Sequence, residues 1–314
     1  MSGRKRPLVV VAGVTASGKT SLGIRLCERF QGEVVSADSM QIYQGMEIAT
    51  AAPTAAERAA APHHLVGFLP PGEPFSVADW AARARPLIAR LHEAGKLPVV
   101  VGGTGLYLSA LMDNLDFDGF SGDPILRERL YCRAQEEGKE ALYQELRRVD
   151  PPLAEKLHPN NLGRLVRALE VYEATGEPMS VHQRRAKERG ACYALCALAI
   201  GYADRERMRE RIDRRVDGML AGGLVEEARR FYQACPGPTA AAAIGYKELK
   251  PYLSGEEELE TAVSRLKTRT YQYAKRQLTW LRRDARYHWL LTDRLGPDGV
   301  FESACRWIEE SGIL

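Results

Sequence analysis

Gly13-Val14-Thr15-Ala16-Ser17-Gly18-Lys19-Thr20 matches the pattern G-x-x-x-x-G-K-[ST] in full. What flanks it gives the match its meaning. Leu8-Val9-Val10-Val11-Ala12 is a short apolar run rich in β-branched residues and reads as a strand. On the other side Leu22, Leu26 and Phe30, with Ile24 nearby, recur at helical spacing. Strand, glycine-rich turn and helix in that order make a cradle for phosphate. Glycines let the backbone wrap phosphate oxygens, and the helix N-terminus adds unpaired N–H donors with a partial positive charge. Lys19 supplies a full charge, and Thr20 offers a hydroxyl to Mg²⁺, an ion that seeks oxygen ligands. The loop is expected to hold a di- or triphosphate, and the pattern does not say which.

Outward from the cradle the same alternation continues. Glu33 to Ser36 reads as a second strand, and Leu97 to Val101 as a third. Before the third comes a helix opening near Ser76-Val-Ala-Asp79, which has capping-box spacing with Asp in the place usually held by Glu or Gln. Strands alternating with helices imply a mostly parallel sheet covered on both faces. From about Gly119 to Gly190 no strand-like run occurs, and prolines punctuate amphipathic helical stretches. Tyr193 to Ile200 then rejoins the sheet, and helices are expected over Asp204–Ala221, Leu224–Ala234 and Glu256–Arg282. Thr239–Ala243 reads as a loop entering a helix. The expected fold class is α/β: a P-loop NTPase-like core with a mostly parallel sheet, plus an all-helical insertion domain. Its divisions are 1–118 and 192–314 for the core and 119–191 for the insertion.

Composition narrows the function classes. The chain has 314 residues, 45% of them hydrophobic, enough for a sizeable core, and no apolar run reaches the ~20 residues a bilayer span needs. The basic start, Met1 to Pro7, runs straight into the first strand and lacks a signal-peptide core, so a cytoplasmic protein is expected. Six scattered cysteines complete no zinc set and read as reduced thiols. A net charge of +3 decides nothing, but its placement does. Between Arg265 and Arg286 eight Lys or Arg residues face one acid, Asp284, with Tyr271, Tyr273 and Trp280 interleaved. Such local bias suits a surface that tracks phosphates. On that helix Lys267, Thr270 and Tyr271 are expected to share a face with Lys275, while Ala274, Leu278 and Leu281 form the buried one. His63 and His64 lack metal-ligand partners at useful spacing and read as structural.

In open α/β sheets ligands sit beyond the carboxyl ends of the strands. The second strand runs into Ser36-Ala37-Asp38-Ser39-Met40-Gln41, and the third into Gly102-Gly103-Thr104-Gly105-Leu106-Tyr107. Asp38 suits a general base, a metal ligand through water, or a helix cap; Thr104 suits a ligand contact or an N-cap. A motor-type ATPase would end its third strand in an aspartate for Mg²⁺, and Gly-Gly-Thr stands there instead. A small-molecule transferase gains by that.

Taken together, these segments resemble the tRNA dimethylallyltransferases of bacterial type. The resemblance is carried by Gly13–Thr20, Asp38-Ser-Met-Gln41, Pro62-His-His-Leu65 and Gly103-Thr104. It continues through His158-Pro-Asn-Asn161, Arg164-Leu-Val-Arg167-Ala-Leu-Glu-Val171 and Ile244-Gly-Tyr-Lys-Glu248, and ends in Lys275-Arg-Gln-Leu-Thr-Trp-Leu-Arg282. These occur in the family's order over about residues 8 to 290. The resemblance implies a prenyltransferase that moves a dimethylallyl group from dimethylallyl diphosphate to N6 of the adenosine 3′-adjacent to the anticodon, in tRNAs reading codons that begin with U.

By that resemblance Gly13, Val14, Thr15, Ala16, Ser17, Gly18, Lys19 and Thr20 cradle the diphosphate, and Thr20 holds Mg²⁺. Asp38 is the base, and Thr104 and Arg215 meet the departing diphosphate beside Lys19. Contacts to the tRNA anticodon stem-loop fall to Asp38, Ser39, Met40, Gln41, Leu106 and Arg129, and to Gly163, Arg164, Leu165, Val166 and Arg167. They continue in Ala242, Ala243, Ile244, Gly245, Tyr246 and Lys247, then in Lys275, Arg276, Gln277, Leu278, Thr279, Trp280, Leu281 and Arg282. A monomer without membrane attachment is expected. The chain departs from the family's habit at Val14 (usually proline), at Ala52 (usually lysine) and in the plain Ala240–Ala243 run. A small-molecule kinase using ATP, or an RNA-binding nucleotide switch, would account for the cradle but leaves, respectively, the basic tail or Asp38 and Thr104 idle.

Overall fold

The computed structural model describes residues 5–115, 122–188 and 190–314, with Lys187 described by its backbone alone. The first half alternates strand and helix: β1 (Arg6–Gly13), α1 (Lys19–Phe30), β2 (Gly32–Ser36), α2 (Glu47–Thr50), α3 (Ala55–Ala60), β3 (His63–His64), α4 (Val77–Glu93), β4 (Leu97–Gly102) and α5 (Gly105–Met112). Helices α6 (Pro124–Glu136), α7 (Lys139–Val149), α8 (Pro151–Ala154), α9 (Leu162–Thr175) and α10 (Met179–Glu188) follow. The remainder is β5 (Tyr193–Gly201), α11 (Arg205–Ala221), α12 (Leu224–Gln233), α13 (Pro238–Ala241), α14 (Tyr246–Leu253), α15 (Leu259–Leu281), β6 (Tyr287–Leu291) and α16 (Thr292–Glu310).

The chain divides into two compact units, Met1–Leu108 with Cys192–Leu314, and Ser109–Ala191. The boundary expected at residues 118 and 119 lies outside the described residues; the division falls earlier, within α5.

In the larger unit six strands pair in the order β3-β2-β4-β1-β5-β6, every pairing parallel. Leu8 to Val11 of β1 have no exposed surface, which is why that strand reads as an unbroken apolar run: both of its faces are covered. Strands reached after β1 go first to one side of it and then, with β5 and β6, to the other. That reversal puts a crevice at the carboxyl end of β1, where the glycine-rich loop begins. One core packs α1 and α16 on the sheet through Leu22, Leu26, Val300 and Ile308, and a second joins Ile42, Met46 and Leu69 to Leu224, Phe231, Tyr246 and Leu266. Ser76 and Asp79 form the expected capping box at the start of α4. His64 bonds Glu33 at 2.7 Å on the sheet edge, the structural role expected.

Two strands escape the sequence reading. β3 has only two residues, and β6, at the sheet's other edge, lies beyond Arg282, where the last expected helix ends and no strand was expected. Pro238–Ala241 forms a short helix where a loop was expected. In α15 Ala274, Leu278 and Leu281 are buried as expected, but so is Thr270, whose hydroxyl donates to the Leu266 carbonyl at 2.8 Å.

Among the described residues of the smaller unit every regular element is a helix. Leu130, Leu142, Leu146, Leu165, Val166 and Leu169 make its core. Asp123 caps α6 through the amides of Ile125 and Leu126, with Pro124 at the first helical position. The buried Glu170 accepts from Arg127 and Arg167, each at 2.9 Å, and from the Asp123 amide. Burial would raise its pKa, but those hydrogen bonds win and hold it below the usual carboxylate value.

Candidate active site

The glycine-rich loop leaves β1 at Gly13, where a Cβ would stand 2.6 Å from the Ile200 carbonyl oxygen; only glycine fits. The loop is then held from behind. The Tyr202 hydroxyl donates to the Ala16 carbonyl at 2.6 Å, and the Thr292 hydroxyl to that of Ser17 at 3.3 Å. Gly18, at φ 92, turns the chain into α1, whose first amides have no partner inside the helix. Lys19 opens that helix and donates from Nζ to the Val14 carbonyl at 2.8 Å. Its pKa is lowered to about 8, by burial first and then by the charge of Arg215, with Asp38 acting the other way. Arg215, on α11, is likewise lowered by burial and supported by Asp38. Two cations thus share one carboxylate, an arrangement that an incoming polyanion relieves.

Around the loop lies a cavity of 1040 Å³ lined by Ala16 to Ser21, the α2–α3 segment and α11. Five cations, Lys19, Arg58, Arg211, Arg214 and Arg215, face Glu47 and Glu57 in it. A second cavity of 260 Å³ is lined by Asp38, Ser39, Met40, Thr15, Ala242 to Gly245, Lys247, Tyr273 and Arg276, with an apolar wall of Val216, Leu224 and Leu266. Arg215 and Met219 line both. The structure therefore gathers Lys19 and Arg215 at one end and Asp38 and Arg215 at the other.

Asp38 is fixed through Oδ1, which accepts from the amides of Met40 at 2.9 Å and Gln41 at 3.4 Å. Gln41 in turn donates from Nε2 to the carbonyls of Thr50 (3.3 Å) and Ala51 (3.1 Å). Thr104 lines neither cavity. Its Oγ1 accepts from the Ser39 amide at 2.9 Å and donates to the Ser39 hydroxyl at 3.2 Å, tying the β4 turn to the Asp38 loop. Thr104 also stands at the N-cap position of α5, where its carbonyl accepts from the Leu108 amide at 3.2 Å, while its hydroxyl is given to the tie with Ser39.

Gln277 was expected among RNA contacts, yet its side chain is buried and faces the cradle. Oε1 accepts from the Thr15 amide at 2.9 Å, and Nε2 donates to the Gly103 carbonyl at 3.0 Å. A Cβ on residue 103 would come within 2.2 Å of that Nε2, so this glycine exists to admit Gln277. Trp280 packs its ring on Gly105 in the same way. Of the other expected contacts, Lys275, Arg276, Thr279, Arg282, Lys247, Ala242 and Leu106 are exposed, as are Gly163, Arg164 and Arg129 in the helical unit. Arg129 pairs with Glu173. The side chains of Leu165, Val166, Tyr246, Leu278 and Leu281 are buried among apolar neighbours, so their part is packing, not contact. The sequence reading missed Arg211 and Arg214 in the cationic cavity, although their spacing with Arg215 puts all three on adjoining helix positions.

A parallel α/β sheet whose first strand runs into a G-x-x-x-x-G-K-[ST] loop, beside two cavities that share Arg215 and Met219, defines a P-loop-like protein. The family model for IPP transferases matches residues 41–284, and the chain belongs to that family. The tRNA dimethylallyltransferase of Carboxydothermus hydrogenoformans is 42% identical over 98% of this chain and 97% of its own. The crystal structure of the tRNA isopentenylpyrophosphate transferase of Bacillus halodurans superposes with a TM-score of 0.71 at 39% identity, covering 98% of each chain. A eukaryotic dimethylallyltransferase captured acting on tRNA gives 0.76 at 33% identity, over 88% of this chain and 70% of its own. No helix among the described residues is long and apolar enough to cross a membrane.

Proposed function

We propose that the chain transfers a dimethylallyl group from dimethylallyl diphosphate to N6 of the adenosine 3′-adjacent to the anticodon, in tRNAs that read codons beginning with U, and releases diphosphate. It acts as a monomer in the cytoplasm. The observation that carries this reading is that Arg215 and Met219 line both a cationic cavity and a second one, in which Asp38 stands with an apolar wall of Val216, Leu224 and Leu266. A donor with a charged head and a branched apolar tail needs both.

The chemistry follows from the two halves. Lys19, Arg215 and the loop amides bind the diphosphate and meet the charge that grows on it as the allylic carbon–oxygen bond breaks. Thr20 would hold Mg²⁺. The described residues offer no cluster of three carboxylate, His or Cys ligands, so the remaining ligands would be diphosphate and water, the set this ion favours. When bound, the ion adds positive charge to the diphosphate oxygens. The adenine amine is a poor nucleophile because its lone pair is delocalised into the ring. As N6 bonds to the allylic carbon, Asp38 takes the N6 proton and the bonding pair leaves with diphosphate. The two amides on Oδ1 fix the carboxylate's orientation for that transfer.

The target base must leave its stack to reach Asp38, at a cost of roughly a few kcal/mol, and an anticodon loop makes that easier. Exposed Lys247, Lys275, Arg276 and Arg282 track the RNA backbone, and the helical unit adds Arg129 and Arg164. Incubation with labelled dimethylallyl diphosphate, Mg²⁺ and an unmodified adenosine-rich anticodon stem-loop tests the reading, with labelled ATP as the parallel donor. Prenyl label on the RNA supports it; label moving only from ATP overturns it.

A further inference from the structure

Glu227 of α12 is 4% exposed and lines neither cavity, yet it is among the most heavily bonded carboxylates in the larger unit. Its Oε2 accepts from the Ile48 amide at 2.8 Å. Its Oε1 accepts from the Ala49 amide at 2.9 Å and from the Tyr246 hydroxyl at 2.8 Å. A carboxylate has acceptor capacity for all three and is buried at low cost only because all three are made.

The two segments it joins are walls of the site. Ala49 and Thr50 of α2 line the apolar cavity, while Glu47, Ile48 and Ala51 line the cationic one. Tyr246, fully buried and stacked on Phe231 at 4.1 Å, is flanked by Gly245 and Lys247, both in the apolar cavity's lining. A helix of four residues does not hold itself together, so α2 keeps its place through such external bonds. From α2 the connection runs on. The carbonyls of Thr50 and Ala51 receive Gln41 Nε2, and the Gln41 amide donates to Asp38 Oδ1.

We propose that Glu227 is a positioning residue for the transfer. By holding α2 and the Gly245–Lys247 segment at a fixed separation, it sets where Asp38 meets the acceptor base. This rests on the function proposed above, and it assigns Glu227 no contact with either substrate. The isosteric Glu227→Gln keeps one acceptor oxygen but turns an NH₂ towards an amide N–H, so one wall bond must break. Tyr246→Phe removes the phenol bond and leaves α2 held.

The test measures three quantities in each variant: steady-state transfer to the anticodon stem-loop, pyrophosphate affinity by calorimetry, and hydrogen exchange at residues 47–51 and 242–247. Glu227→Gln is expected to lower kcat about tenfold or more, the scale of one lost charge-assisted hydrogen bond. Pyrophosphate affinity should stay within about twofold, since Lys19 and Arg215 are untouched, and exchange should rise in α2, where the broken bond lies. Tyr246→Phe should lower kcat by about threefold or less, the lower end for a single neutral bond. Wild-type kcat and KM in a folded Glu227→Gln overturn the proposal, and so does a parallel loss of pyrophosphate affinity, which would mark general loosening. Should Glu227→Gln fail to fold, Gln41→Ala breaks the same connection nearer to Asp38: a kcat loss at unchanged pyrophosphate affinity supports the proposal, and wild-type kcat refutes it. If the unaltered chain transfers no prenyl group, the proposed function falls and exchange alone decides positioning. Faster exchange in α2 supports it; unaltered exchange in α2 overturns it.

Discussion

The two cavities that meet at Arg215 are built by opposite means. The cationic one rests on six consecutive residues, Ala16 to Ser21, with the α2–α3 segment, its Arg58, and three arginines of α11 added. The apolar one draws its lining from the loop after β2, from α11, from the turn before α14 and from α15, so residues more than two hundred positions apart share it. The first holds by charge, and its side chains repel one another until an anion arrives. The second holds by shape and by a web of hydrogen bonds that orients one carboxylate. In the proposed reaction, binding and chemistry fall to these different constructions, so each is expected to be disturbed without the other.

Lys19→Ala should have the largest effect. Removing the amine that faces the leaving group is expected to cost about a thousandfold in kcat/KM for the donor, while the thermal unfolding transition stays in place. Asp38→Asn should follow, at about a hundredfold in kcat, the lower end for loss of a positioned base. Gln277→Ala removes the one side chain bonded to both the Thr15 amide and the Gly103 carbonyl. About tenfold in kcat, from the misplacement of two loops, is the expected cost, with KM for dimethylallyl diphosphate and for RNA both raised. A rise confined to one substrate's KM would show that Gln277 holds one of the two loops and not both.

The smallest effect is on pH. Lys19 is charged below about pH 8 and neutral above it in the ligand-free site, because burial and Arg215 lower its pKa. A bound diphosphate favours the charged form, so pyrophosphate affinity should be highest below pH 8 and fall several-fold as pH rises through it. Lys19→Arg, charged throughout, should not show that fall. Calorimetry at pH 7 and pH 9 on both proteins checks the sign.

Legibility in the sequence follows the same divide. The loop was readable because its residues are contiguous and its flanks carry plain strand and helix periods. Asp38 was readable as a residue at a strand end, but its orientation was not, since that depends on Gln41 reaching Thr50 and Ala51. Gln277 stood among the expected RNA contacts because the resemblance carried Lys275–Arg282 as a block, which does not say which way each side chain points; its burial against Gly103 shows that it faces inward. Glu227 carried no signal at all, since a carboxylate in an amphipathic helix is ordinarily a solvated one. Of the sheet, the buried strands were legible and the edges were not: β3 and β6 are short, half-covered and without alternation.

The division of labour is tested most directly by measuring pyrophosphate binding and single-turnover prenyl transfer side by side in Asp38→Asn. The account predicts pyrophosphate affinity within about twofold of the unaltered chain and transfer reduced about a hundredfold, the loss expected when a base is removed from an intact cradle. Transfer at the unaltered rate would show that Asp38 is not the base. A loss of pyrophosphate affinity as large as the loss of transfer would show that the two cavities act as one.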